Sequence, residues 1–206
     1  VRARIDQACV QAGRDPQEVR LLPVSKTHPA DYLRLAYAAG CRMLGENKVQ
    51  EAYQKWQELD DLADLEWSVI GHLQTNKAKY VARFAREFHA LDSLRLAQTL
   101  NQRLEIENRT LDVLVQINTS GEESKYGIDP EQAHELIAQL GQFQRLRVRG
   151  LMTLALNSPD QEAVRRCFIM LRELRDSLQA SAPEGMQLSE LSMGMSGDFE
   201  LAIAEG

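Results

Sequence analysis

The chain has 206 residues with 24 Lys and Arg against 30 Asp and Glu, a net charge of −6; this is the size of one domain, long enough to bury a sizeable core. Net negative charge repels a phosphate backbone and argues against sequence-wide nucleic-acid binding. With 44% hydrophobic and 26% charged residues the composition is globular, and no apolar run approaches the roughly 18 residues a membrane-spanning helix needs, so no membrane partner is expected.

The first segment, VRARIDQACVQAGRD, is charged and helical in pattern; it lacks the apolar centre of a signal peptide and begins without Met, so first residues are expected to be missing. Cys9, Cys41 and Cys167 are odd in number and far apart, which predicts reduced thiols in a cytoplasmic chain. Strands are predicted at residues 20–25, 42–45, 66–70, 88–91, 111–117, 148–153 and 188–193, each followed by a helix-length segment. Their starts lie about 28 residues apart, near the roughly 31 per unit of a (β/α)8 barrel. Helix starts are predicted at Asp92 or Ser93, at Asp129-Pro130 and at Ser158-Pro159. Over 94–106, Leu96, Leu100 and Leu104 share one face. The first strand-to-helix turn, SKTHPAD, lacks the glycine fingerprint of a dinucleotide fold, so a TIM-type barrel spanning 1–206 as one domain is preferred to a doubly wound sheet. Seven strands leave a barrel open, and the natural sequence is therefore expected to continue past Gly206 into an eighth, which is missing here.

In such a barrel the reactive residues follow the strands at their C-terminal ends. Lys26 ends the otherwise apolar LLPVSK. Low-dielectric surroundings would favour the neutral amine that Schiff-base chemistry needs, and a solvated lysine at a strand end is the plainer reading. Asn47 follows the next strand, either facing a ring or capping a helix over 48–58. His72 lies in IGHLQTNK, placed to stack, to act as an acid or to serve structurally. In LSMGMSGD, Ser192 and Ser196 offer hydroxyls, Gly194 allows close backbone approach, and a helix over Phe199–Glu205 begins just beyond; as the loop after the seventh strand it suits a phosphate. Lys125 and Gly127 lie in a polar loop, and in RGLM, Gly150 permits close packing while Met152 reads as core. No metal-hydrolase, serine-hydrolase or P-loop motif occurs. A lysine and a phosphate cradle at one face describe a pocket for an aldehyde-bearing phosphate ester.

The strings VSK (24–26), GENKVQE (45–51), IGHLQTNK (70–77), SGEESKYG (120–127), RGLM (149–152) and LSMGMSGDFELAIAEG (191–206) resemble, in order and across the chain, the pyridoxal-phosphate homeostasis protein family, also called YggS/PROSC. The resemblance implies a barrel like the cofactor domain of alanine racemase, with pyridoxal 5′-phosphate as cofactor. Lys26 matches the lysine that holds it as a Schiff base, Asn47 a residue beside the ring, and the segment Ser192, Gly194, Met195 and Ser196 part of the phosphate site. It further implies a cytoplasmic monomer, without established catalysis, that carries or buffers the cofactor for accepting enzymes and affects amino-acid metabolism. Ser68 stands where many members have His, and the family's Arg-Ile-Gly segment past Gly206 has no counterpart here. The alternative is a pyridoxal-phosphate-dependent amino-acid racemase or decarboxylase. Tyr126 is the one tyrosine in a mouth loop, which leaves a self-contained acid/base pair hard to build. A Schiff-base aldolase acting through Lys26 fits the barrel but gains nothing from the matched strings.

Overall fold

The structure, a computed structural model, describes residues 1–123 and 125–206; Ser124, inside the 120–127 string, lies outside the described residues. Strands β1 (Met43–Glu46), β2 (Glu66–Val69), β3 (Glu87–Leu91), β4 (Leu111–Gln116), β5 (Leu146–Met152) and β6 (Glu190–Ser192) pair in chain order, every pair parallel. Helices α3 (Val49–Glu58), α4 (Ala78–Phe84), α5 (Leu94–Ile106), α6 (Ala133–Leu140) and α7 (Gln161–Ser181) provide the crossovers. Helices α1 (Arg2–Gln11) and α2 (Ala30–Ala38) precede them, and α8 (Phe199–Glu205) follows β6. The strand order never reverses, as it does in a doubly wound sheet, and the architecture is that of a partial (β/α)8 barrel.

Contacts between strands that are not neighbours show the curl directly. His89 of β3 meets Ser192 of β6 through Nδ1 and Oγ at 2.9 Å, and Arg20 reaches both Glu87 of β3, at 2.7 Å, and Glu190 of β6, at 3.9 Å. Side chains two apart on a strand share a face, so Glu87 and His89 look into the barrel while Phe88 and Ala90 look toward the helices. All five residues of β3 are buried, as expected of a parallel strand covered on both sides.

The predicted first strand is reduced to one bridge. Val24 pairs in parallel with Gly45, and Ser25 N–H donates to Gly45 O while Gly45 N–H donates to Pro23 O. Pro23 has no N–H to give a ladder, which limits regular pairing there. Among the described residues, the outer edges of Val24 and of β6 have no strand partner. At the helical layer the ring continues, because Ile5, Ala8 and Cys9 of α1 pack on Ile203 of α8 and Arg14 Nη1 donates to Ile203 O at 2.9 Å.

The helix signals are partly corrected. Ser93 Oγ accepts from Leu96 N–H and caps α5, whose Leu96, Leu100 and Leu104 are buried. Asp129 precedes a short 3-10 turn at Pro130–Gln132 but makes no side-chain cap. The cap of α7 is Asp160, which accepts from Glu162 and Ala163 N–H, while Ser158 Oγ accepts from Asp160 N–H. Proline after Ser158 therefore marks the turn before the helix, not its first residue. The three cysteines are free, with Cys9 and Cys167 buried.

Candidate functional site

All parallel strands present their C-terminal ends on one face, and Lys26, Asn47, His72, Ser192 and the following loop stand there. Lys26 lies two residues beyond the Val24 bridge and is exposed. Among the described residues the segment behind it pairs on one side, with Gly45. Among the described residues its ammonium has no ion-pair or hydrogen-bond partner. Asn47 is half-buried, its amide likewise unengaged among the described residues, and it does not cap α3, whose N-cap is Lys48. Its backbone is wedged against β2's exit: a Cβ on Gly71 would fall 2.0 Å from Asn47 O, so only glycine fits.

The loop after β6 departs from the expectation in detail. Ser192 Oγ is engaged by His89, and Ser196 and Met195 are exposed. Gly194 has φ +90°, and a Cβ there would meet Ala202 Cβ and Phe199 Cα at 2.9 Å. The turn and the approach of α8 therefore both require glycine here. Asp198 Oδ1 accepts from Met195 N–H at 2.5 Å, so that donor is occupied.

Under this face lies an acid–base network that the sequence reading missed. Glu87 takes Arg20 through Nη1 at 2.7 Å and His89 Nε2 at 2.9 Å, and Ser68 Oγ lies 3.2 Å from the same nitrogen. Burial disfavours the Glu87 carboxylate, but hydrogen bonds from His89 and Arg20 outweigh it and hold its pKa at about 2, against an ordinary 4.5. A carboxylate with a depressed folded-state pKa stabilises above its unfolded value. Stability on the order of 3 kcal/mol should therefore be lost as pH falls from about 4.5 through about 2. Glu87→Gln should flatten the denaturation midpoint across that window; an unchanged slope would mean the network does not titrate this way.

Around Lys26 a second buried cluster stands out. Glu46, fully buried at the end of β1, accepts Ser25 Oγ–H and Lys55 Nζ on Oε1, each at 2.6 Å, and its Oε2 has no partner among the described residues. Lys55 lies on the inner face of α3 with Val49 and Ala52. A lysine on an apolar stripe, with Glu51 at i−4, was the available signal.

Of the other candidates, Lys125 Nζ donates to Ala155 O at 3.0 Å and lies 2.7 Å from Glu122. His72 stacks on Tyr126 with centroids 4.0 Å apart and planes 8° apart, and its Nδ1 is 3.6 Å from Asp92. Burial pushes the Asp92 carboxyl up, with His72 opposing. Met152 fills core.

The profile of the alanine racemase N-terminal domain matches residues 2–205. A relative from Aquifex aeolicus named pyridoxal phosphate homeostasis protein is 44% identical over 98% of this chain and 88% of its own. One of the same name from Escherichia coli K12 is 42% identical over 100% of this chain and 88% of its own. The chain belongs to the pyridoxal phosphate homeostasis protein family. PipY of Synechococcus elongatus PCC7942, a solved structure with PLP bound, superposes with a TM-score of 0.86 at 38% identity, over 98% of this chain and 94% of PipY. Alanine racemase of Clostridium difficile 630 shares the fold, at a TM-score of 0.67 and 14% identity over 95% of this chain and 50% of that one. In this chain Ser68 occupies the barrel interior beside His89, where its hydroxyl serves the network described above.

Proposed function

We propose that residues 1–206 act as one cofactor-binding unit that holds pyridoxal 5′-phosphate at the C-terminal face of the barrel, and carries or buffers it in vitamin B6 and amino-acid homeostasis. One observation carries the reading: a primary amine, Lys26, shares this face with the amide of Asn47 and the hydroxyl of Ser196, all three unengaged among the described residues. That donor set fits the group, in which an aldehyde, a ring and a phosphate need an amine, an amide and hydroxyls. The names of the relatives and the PLP bound to PipY support it.

When bound, the cofactor supplies an electrophilic carbonyl carbon, to which an amine can attach with loss of one water. The chain's own residues do the rest. Lys26 provides the amine and Asn47 lies beside the ring. Ser192, Gly194, Met195 and Ser196 line the phosphate. With His89 Nε2–H given to Glu87, a neutral imidazole takes the Ser192 hydroxyl proton at Nδ1 and fixes the start of this loop; Ser196 Oγ–H, and Met195 N–H once Asp198 turns away, would be the donors for an anionic oxygen. In this reading the protein works in the cytoplasm as a monomer and passes cofactor to accepting enzymes.

The second reading, an amino-acid racemase or decarboxylase, has one observation in its favour: Tyr126 stacked on His72, beside Asp92, places an acid–base group at the same face. Both readings meet in one experiment. The loaded protein should restore activity to a cofactor-free pyridoxal-phosphate enzyme while leaving D- and L-alanine unconverted and undecarboxylated. Turnover of either amino acid at enzymatic rates, without transfer, would replace the carrier by the enzyme.

A further inference from the structure

We infer that Glu51, Lys55 and Glu46 form a clamp that positions Lys26 for covalent attachment, a role that rests on the reading of Lys26 given above. The peptide groups on both sides of Lys26 are held from α3 and β1. On the preceding side, Ser25 O accepts Lys55 Nζ at 2.8 Å, Ser25 Oγ–H donates to Glu46 Oε1 at 2.6 Å, and Ser25 N–H donates to Gly45 O at 2.9 Å. On the following side, Thr27 N–H donates to Glu51 Oε1 at 2.8 Å. Lys55 Nζ ties the two sides together, because it also donates to Glu51 Oε1 at 2.8 Å and Glu46 Oε1 at 2.6 Å. Thr27 has φ +66°, an outlier for a β-branched residue that persists only when its surroundings over-determine it.

The clamp fixes the backbone while leaving the amine alone. None of its three side chains touches Lys26 Nζ, and the carboxylate that anchors Thr27 is held in its charged form chiefly by the hydrogen bond from Lys55, against burial. With both flanking peptide planes fixed, the direction in which the Lys26 side chain leaves the backbone is set before any ligand arrives. An exposed lysine on a free loop would sample many directions, and positioning of a reacting amine is worth orders of magnitude in rate. Glu51, Lys55 and Glu46 are therefore positioning residues, acting through the backbone of 25–27.

The test separates attachment from binding. Pyridoxal 5′-phosphate is trapped on the protein with borohydride and the Lys26 peptide quantified by mass spectrometry. Pyridoxine 5′-phosphate, which has an alcohol in place of the aldehyde, reports ring and phosphate binding by calorimetry. The Glu51 side chain is 30% exposed, and its loss leaves the Lys55–Glu46 pair in place. Glu51→Ala should slow trapping at Lys26 about ten-fold or more with pyridoxine 5′-phosphate affinity unchanged. Glu51→Gln keeps an oxygen for Thr27 N–H and should trap at close to the parental rate. Parental trapping in Glu51→Ala, or equal losses for both ligands, would overturn the clamp. Absence of label at Lys26 in the parent protein would remove the reading of Lys26 and the clamp with it, a result distinct from either.

Discussion

Gly150→Ala should destabilise the protein by about 3 kcal/mol or more. Gly150 stands opposite Glu190 in the β5–β6 register, and a Cβ there would fall 1.8 Å from Glu190 O and 2.6 Å from its carbonyl carbon. Both obstacles are backbone, so no side-chain rotation relieves the clash. Relief requires β6 to move away, which loosens the Leu151–Leu191 and Met152–Ser192 pairs and withdraws Ser192 from His89. Interiors close-packed on both sides absorb such shifts poorly. Gly197→Ala is the control, since its Cβ meets nothing within 4 Å, and should change stability by less than about 0.5 kcal/mol. Urea unfolding of the two variants side by side measures the difference; equal midpoints would mean that β5 and β6 do not approach this closely.

Lys55→Met should cost about 3–5 kcal/mol, the penalty for leaving a buried charge without its partner. Glu46 is 0% exposed, and beyond Lys55 its carboxylate has only the Ser25 hydroxyl, with Oε2 already unpartnered among the described residues. The cost lies in the orphaned carboxylate more than in the loss of the pair itself. Glu46→Leu combined with Lys55→Met should therefore recover most of the stability, since apolar replacement of a whole buried pair is often near neutral. A double-mutant cycle in denaturant reads this. Additive losses would show that Glu46 is compensated by something other than Lys55.

The repeating βα pattern was readable because each strand is an apolar run and each crossover an amphipathic one, and both periods survive in a single sequence. Strand 111–117 and helix 94–106 came within a residue of β4 and α5 for that reason. Residues 20–25 read as a strand from their apolar content, but Pro23 removes a ladder donor and only Val24 pairs. The start at Asp129-Pro130 holds in position, with Pro130 opening a 3-10 turn that runs into α6, but without a side-chain cap; at Ser158-Pro159 the proline precedes the helix of 161–181, which is capped one residue later by Asp160.

At the site, chain order alone placed Lys26, Asn47 and Ser192 at strand exits, since topology puts every exit on one face. The buried polar groups were not legible. Glu87 and His89 sit in an apolar strand and gain their meaning from Arg20, 67 residues away from Glu87, and from Ser192, 103 away from His89. Lys55 was visible as an intruder on the apolar face of α3, but its partners Glu46 and Ser25 O are named only by the fold. Gly194 is legible as a turn glycine, but its close approach to Ala202 and Phe199 of α8 is named only by the fold.

The central claim is that Lys26 is the residue to which pyridoxal 5′-phosphate attaches. Reduction of the protein with borohydride in the presence of the cofactor, followed by digestion and mass mapping, tests it directly. The account predicts that the added mass resides on the peptide containing Lys26 and that Lys26→Ala carries none. Label on Lys77 or Lys125 with Lys26 unmodified would contradict it.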